Sequence, residues 1–123
     1  MLVEDDAAIA EMYRMQLAMD GFRILVAGDG ASGLELIRTT RPDLVLLDIL
    51  LPEMEGFEVL ERMHADPALA AIPVVVLSNF GEPEMMRRGL ARGARDYVIK
   101  SSTTPVELSA RIRRWLGSPR TDD

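Results

Sequence analysis

The chain has 123 residues, 48% of them hydrophobic, which suits one domain with a real core and excludes wholesale disorder. Twenty Asp and Glu against fourteen Lys and Arg give a net charge of −6, so non-specific nucleic-acid binding, which needs clustered cations, is not expected. Absence of cysteine removes disulfide and thiolate chemistry, and no apolar run approaches the roughly 20 residues of a membrane span. With no charged-then-apolar segment opening the chain, the default expectation is a cytoplasmic location.

Strand-like and helix-like runs alternate throughout, the pattern of a parallel sheet covered on both faces. A short first strand is expected over Met1–Glu4. A helix follows from about Ala7 to Met19, with Asp6 as N-cap and Gly21 as its stop. Ile9, Met12, Tyr13, Gln16 and Leu17 supply the helical stripe that should pack on the sheet. Strand two is read at Arg23–Ala27 and the next helix at about Ala31–Arg38. Strand three spans Asp43–Asp48 after the helix-breaking Arg41-Pro42.

Pro52 and Gly56 mark a turn, Phe57, Leu60 and Met63 lie along a third helix, and Asp66-Pro67 ends it. Strand four is expected over Pro73–Ser78, a fourth helix over about Glu84–Ala91, and strand five over Asp96–Lys100. Thr104-Pro105-Val106-Glu107 reads as a capping box with proline at the first helical position, opening a last helix that ends at Gly117. That helix should turn Leu108, Ile112, Trp115 and Leu116 inward. Its basic residues, Arg111, Arg113 and Arg114, are balanced by Glu107 and read as a solvated face. His64 should be exposed, the eight methionines should fill the core, and residues 118–123 form a polar tail.

The chemistry gathers at strand ends. Leu2-Val3 runs into Glu4, Asp5 and Asp6; the third strand ends at Asp48, the fourth at Ser78 and the fifth at Lys100. In a parallel α/β sheet these carboxyl ends meet at one crevice, where strand order reverses. Clustered carboxylates repel one another, and a hard divalent cation such as Mg²⁺ relieves them. One carboxylate can then act as a nucleophile toward phosphorus, with an ammonium and a hydroxyl nearby to meet the charge on the transferring group.

The segments LVEDD, DLVLLDILLPEMEGFEVL, IPVVVLSN and GARDYVIK, in this order and spacing, resemble the receiver domains of two-component response regulators over essentially the whole chain. The resemblance implies a flavodoxin-like, doubly wound five-stranded parallel sheet of order 2-1-3-4-5 with five helices, spanning residues 1–117. It makes Asp48 the phospho-acceptor and Glu4, Asp5, Asp48 and the carbonyl of Leu50 the Mg²⁺ ligands. Ser78 becomes the switch hydroxyl, Tyr97 the aromatic that follows it, and Lys100 the phosphate-binding lysine. The implied donor is a phosphohistidine on a sensor histidine kinase or a histidine phosphotransfer protein. Such a domain assists its own phosphorylation without being an enzyme in the ordinary sense. Its output surface would be the fourth helix, fifth strand and fifth helix, meeting a downstream effector. Asp96, Glu107 and Arg111 match part of a charge network used for pairing, whereas Arg87, Arg92 and Arg95 fit it poorly, so a monomer or weak dimer is expected. One departure stands out: Ser101 follows the lysine where the family usually has proline.

Three rival readings compete. Gly28-Asp29-Gly30-Ala31-Ser32-Gly33 fits a dinucleotide-binding GxGxxG, but leaves Glu4, Asp5, Ser78 and Lys100 without a role. An aspartate-nucleophile phosphatase would carry a second acid at position 50, which is Leu50. A pseudo-receiver, folded but never phosphorylated, would not need its acidic, hydroxyl and lysine positions intact.

Overall fold

A computed structural model describes residues 1–49, 56–78 and 83–117. Five parallel strands, β1 (Leu2–Val3), β2 (Val26–Ala27), β3 (Val45–Leu47), β4 (Val74–Ser78) and β5 (Asp96–Ile99), form one sheet of order 2-1-3-4-5. Helices α1 (Ala7–Met19), α2 (Gly30–Thr40), α3 (Gly56–Ala65), α4 (Pro83–Ala91) and α5 (Pro105–Gly117) alternate with them. The expected doubly wound architecture is therefore the one observed.

The two-residue period of the strands sorts the core into two layers. Val3, Val45, Leu47, Val76 and Tyr97 point to one face and pack with Leu34 and Ile37 of α2 and Phe57, Leu60 and Met63 of α3. Leu2, Leu46, Val75, Leu77 and Val98 point to the other, against Tyr13 and Leu17 of α1 and Leu108 and Ile112 of α5. Strands buried on both faces carry continuous Val and Leu for this reason. Gly33 lets α2 approach β1 closely: a Cβ there would stand 3.0 Å from both methyl carbons of Val3.

The strands are shorter than their sequence runs. β2 is the pair Val26–Ala27 rather than Arg23–Ala27: β1 is itself only Leu2–Val3, opposite Val26 and Ala27, and Leu25 adds a bond at the edge of the pairing by accepting from Leu2 N at 2.7 Å. β3 likewise starts at Val45, β4 at Val74, and β5 ends at Ile99, with Lys100 opening a short 3-10 turn through Ser102. α2 runs longer than expected, from Gly30 to Thr40: Asp29 caps its start by accepting from Ser32 N at 2.7 Å, and it ends only at Arg41, whose φ is 49° and whose N donates to Ile37 O.

The capping signals hold. Asp6 Oδ1 accepts from Ala8 N and Ile9 N, and Gly21 takes a positive φ of 95° just beyond α1. Thr104 Oγ1 accepts from Glu107 N at 3.1 Å while Glu107 Oε1 accepts from Thr104 N at 2.8 Å, the reciprocal box expected at the start of α5.

Other side chains depart from expectation. The buried stripe of α1 is Ala10, Tyr13 and Leu17, and Met12, next to it on the helix edge, is 47% exposed. Met15 and Met19 are exposed too, so three methionines lie on the outer side of α1 rather than in the core. Leu116 is exposed, whereas Leu108 and Ile112 do point inward and Trp115, readable as core or as a partly buried cover, is the half-buried cover on that layer. Pro52 lies outside the described residues.

Candidate functional site

The carboxyl ends of β1 and β3, adjacent in the sheet where its order reverses, carry Glu4, Asp5 and Asp48 into one cluster. One carboxylate oxygen from each lies within 4.8 Å of the others. Glu4 and Asp48 are buried and Asp5 is exposed, so the cluster opens outward through Asp5. Lys100, from the end of β5, reaches across the crevice. Its Nζ donates to Glu4 Oε1 at 2.5 Å and to Asp48 Oδ2 at 2.9 Å, joining positions 96 and 52 residues apart in sequence. The other oxygen of Glu4 accepts from Asp6 N at 3.2 Å.

Burial, opposed by the bond from Lys100 and reinforced by the Asp48 charge, pushes the Glu4 carboxyl above its ordinary range. Burial also works against the Lys100 ammonium, but the bonds to Glu4 and Asp48 outweigh it and lift the lysine above its usual value. Among the described residues Lys100 is the ammonium bound to this cluster, through Glu4 and Asp48, and a further cation would balance the remaining negative charge. All the donors are oxygens, the set a hard ion such as Mg²⁺ takes, and none is the sulfur or imidazole that would favour zinc.

Ser78 closes β4, pairs in register with Ile99, and is buried at the same rim. Tyr97 is also buried, within the apolar layer that contains Phe57. The site is braced from below by Gly56. Its N donates to Ile49 O at 3.0 Å, and a Cβ on it would fall 2.3 Å from Asp48 O, so α3 starts against the backbone of Asp48. Leu50, expected to lend a carbonyl, lies outside the described residues. The bond from Lys100 to Glu4 was not foreseen from sequence, which assigned the lysine to phosphate alone.

The family model of the response regulator receiver domain matches residues 1–113. This chain belongs to that family. Among its relatives, the DNA-binding response regulator MtrA of Mycolicibacterium paratuberculosis is 42% identical over 123 residues, all of this chain and 52% of the relative. The receiver thus spans about half the length of the curated relatives it matches. Among solved structures, the BeF3-activated N-terminal receiver domain of Klebsiella pneumoniae RstA is 31% identical with a TM-score of 0.87, covering 95% of this chain and 97% of that one. The Mn(2+)-bound form of the response regulator Rcp1 is 26% identical with a TM-score of 0.83, covering 96% and 94%.

The glycine motif that suggested a dinucleotide has a different use in this receiver. Asp29 already occupies the amino end of α2, where a pyrophosphate would have to sit. A carboxylate there repels a second anion. Among the described residues no helix is long and apolar enough to cross a membrane.

Proposed function

We propose that this receiver accepts a phosphoryl group onto Asp48 from a phosphohistidine of a sensor histidine kinase or histidine phosphotransfer protein, with Mg²⁺ bound by Glu4, Asp5, Asp48 and the carbonyl of Leu50. The observation that carries the reading is the ammonium of Lys100 at 2.9 Å from Asp48 Oδ2, beside two further acids within 4.8 Å. A carboxylate oxygen of Asp48 attacks phosphorus, the bond from phosphorus to the imidazole nitrogen breaks, and that nitrogen leaves with the electron pair. When bound, the metal supplies positive charge to the equatorial oxygens of the transferring group. Lys100 then exchanges part of its contact with Glu4 and Asp48 for a phosphate oxygen, which its three donors permit.

Phosphorylation biases a two-state equilibrium through Ser78, with Tyr97 following it, and alters the surface of α4, β5 and α5 that meets an effector. The relatives named as DNA-binding support a transcriptional output lying outside this acidic domain, which itself binds no nucleic acid. The domain is a phospho-acceptor acting in the cytoplasm rather than an enzyme, and a monomer or weak dimer: Arg111 Nη2 donates to Asp96 Oδ2 at 3.3 Å within one chain. Acetyl phosphate with Mg²⁺ should add one phosphoryl group by intact mass, and Asp48→Asn and Asp5→Ala should each lose it. Modification that persists in Asp48→Asn would remove the assignment.

A further inference from the structure

Helix α4 has little apolar hold on the domain. Gly89 is its one buried residue among those described, with Met85 and Met86 packed partly against the core. Polar and aromatic contacts to α3 supply what is missing. The guanidinium of Arg88 stands 4.7 Å from the centroid of the Phe57 ring and that of Arg92, just past the end of α4, stands 5.3 Å from it. Arg92 Nε also donates to Glu61 Oε2 at 2.6 Å, one helical turn along α3 from Phe57. Arg92 Nη1 donates back to Arg88 O at 3.3 Å, so the two arginines are held together.

Phe57 has a second connection. A Cβ at Gly89 would lie 3.3 Å from the Tyr97 ring and 3.6 Å from the Phe57 ring, so α4 rests on both aromatics at its glycine. Phe57 directly follows Gly56, the residue pressed against the carbonyl of Asp48. A chain of contacts therefore runs from the acceptor's backbone through Gly56 and Phe57 to Arg88 of α4 and Arg92 just beyond it. It does not pass through Ser78.

From this geometry we propose that Phe57, Glu61, Arg88 and Arg92 form a latch that holds α4 on α3, and that the latch couples the position of α4 to the acceptor segment. The latch is electrostatic at its outer end, where Arg92 and Glu61 are 31% and 54% exposed, so salt loosens it. Its inner end is the desolvated ring face of Phe57, which salt affects less. α4 thus becomes the element whose opening depends most on ionic strength, in keeping with its sparse burial.

Hydrogen exchange on the full chain tests the holding half without any phosphate chemistry. Raising NaCl from low to high concentration should speed exchange across 83–91 while leaving the β4 amides slow. Arg92→Gln and Phe57→Leu, each at low salt, should speed it by about three- to tenfold. Arg87→Gln, which loses only a pair to Glu84 within α4, should leave exchange across 83–91 unchanged. Arg92→Gln alters a half-buried group at the rim rather than the core and keeps the fold, so exchange in that variant equal to wild type at low salt overturns the latch. The coupling half rests on the acceptor role of Asp48 and is read separately. Beryllofluoride with Mg²⁺ should change α4 exchange in wild type by more than in Phe57→Leu, and equal changes overturn the coupling. A wild type that ignores beryllofluoride counts against the acceptor role and the coupling, while the salt and Arg92 results still judge the latch.

Discussion

Replacing Lys100 by methionine keeps the length of the side chain and removes its charge. The ammonium is 8% exposed and sits between Glu4 and Asp48, whose side chains are 2% and 9% exposed. Removing one partner of a buried ion pair costs about 3–5 kcal/mol, because the remaining charge stays desolvated. Here the crevice opens at Asp5, so the lower end, about 3 kcal/mol, applies. For a chain of 123 residues, that corresponds to a melting temperature lower by roughly 10 °C. This loss belongs to metal-free protein. Under the proposed function, Mg²⁺ supplies the charge that the lysine no longer does, and without a competing ammonium it binds the variant more tightly, by about tenfold, or 1.4 kcal/mol. Thermal unfolding followed by circular dichroism in EDTA and in excess MgCl₂ therefore separates two accounts. If Lys100 neutralises the acid cluster, the variant's deficit is large in EDTA and shrinks to about half in Mg²⁺. Equal deficits in the two buffers would refute the reasoning, since the lysine would then stabilise by packing its stem rather than by its charge.

Gly56→Ala should destabilise the receiver by about 2–3 kcal/mol in urea unfolding, because the new Cβ meets Asp48 O at 2.3 Å and Ile49 Cα at 2.5 Å, both backbone atoms. Gly28→Ala, with nothing within 4 Å of its Cβ, is the matched control and should change stability by less than about 0.5 kcal/mol. Glu4 gives a pH dependence whose sign is fixed. Its folded carboxyl lies above the ordinary 4.5, so between those values the folded state binds more protons than the unfolded one, and its contribution to stability falls as pH rises. Urea unfolding in EDTA should show wild type losing ground to Glu4→Gln from about pH 4.5 upward until the folded carboxyl is ionised, and a flat or rising difference would contradict it. Leu50 and Phe80, which lie outside the described residues, cannot orient a water for attack on an acyl phosphate. Slow loss of phosphate is expected, and Leu50→Asn/Phe80→Glu should speed it by about tenfold, or 1.4 kcal/mol of barrier; an unchanged lifetime would remove the shielding account.

How much of this was legible in the sequence depends on the range of each interaction. Local chemistry read well. The caps at Asp6 and at Thr104 with Glu107, the stop at Gly21 and the continuous apolar strands all depend on neighbours within a few positions. Strand lengths read less well, since pairing needs a partner: Ile24 and Leu25 are as apolar as a strand requires, but the register with β1 runs only from Val26 opposite Leu2, with Leu25 accepting from Leu2 N at its edge. Helical periodicity found the stripe of α1 but not its edge. Tyr13 is 3% exposed and its neighbour Met12 is 47% exposed, a rotation of one residue that the pattern of apolar positions does not resolve.

The site shows the same division and explains why Lys100 was only half understood. Glu4, Asp5, Asp48 and Lys100 could be brought together on paper because parallel strands place their carboxyl ends at one rim. Which acid the lysine would choose could not, because that depends on burial. Glu4 and Asp48 are the two acids of the cluster withdrawn from water, and Asp5 is the one left in it. A buried carboxylate needs a cation more than an exposed one does, so the ammonium goes to Glu4 and Asp48 and leaves Asp5 facing outward. The same contact that stabilises the crevice keeps a cation beside Asp48 Oδ2. Under the proposed function, an incoming phosphoryl group meets a lysine already in place, and has only to compete for it.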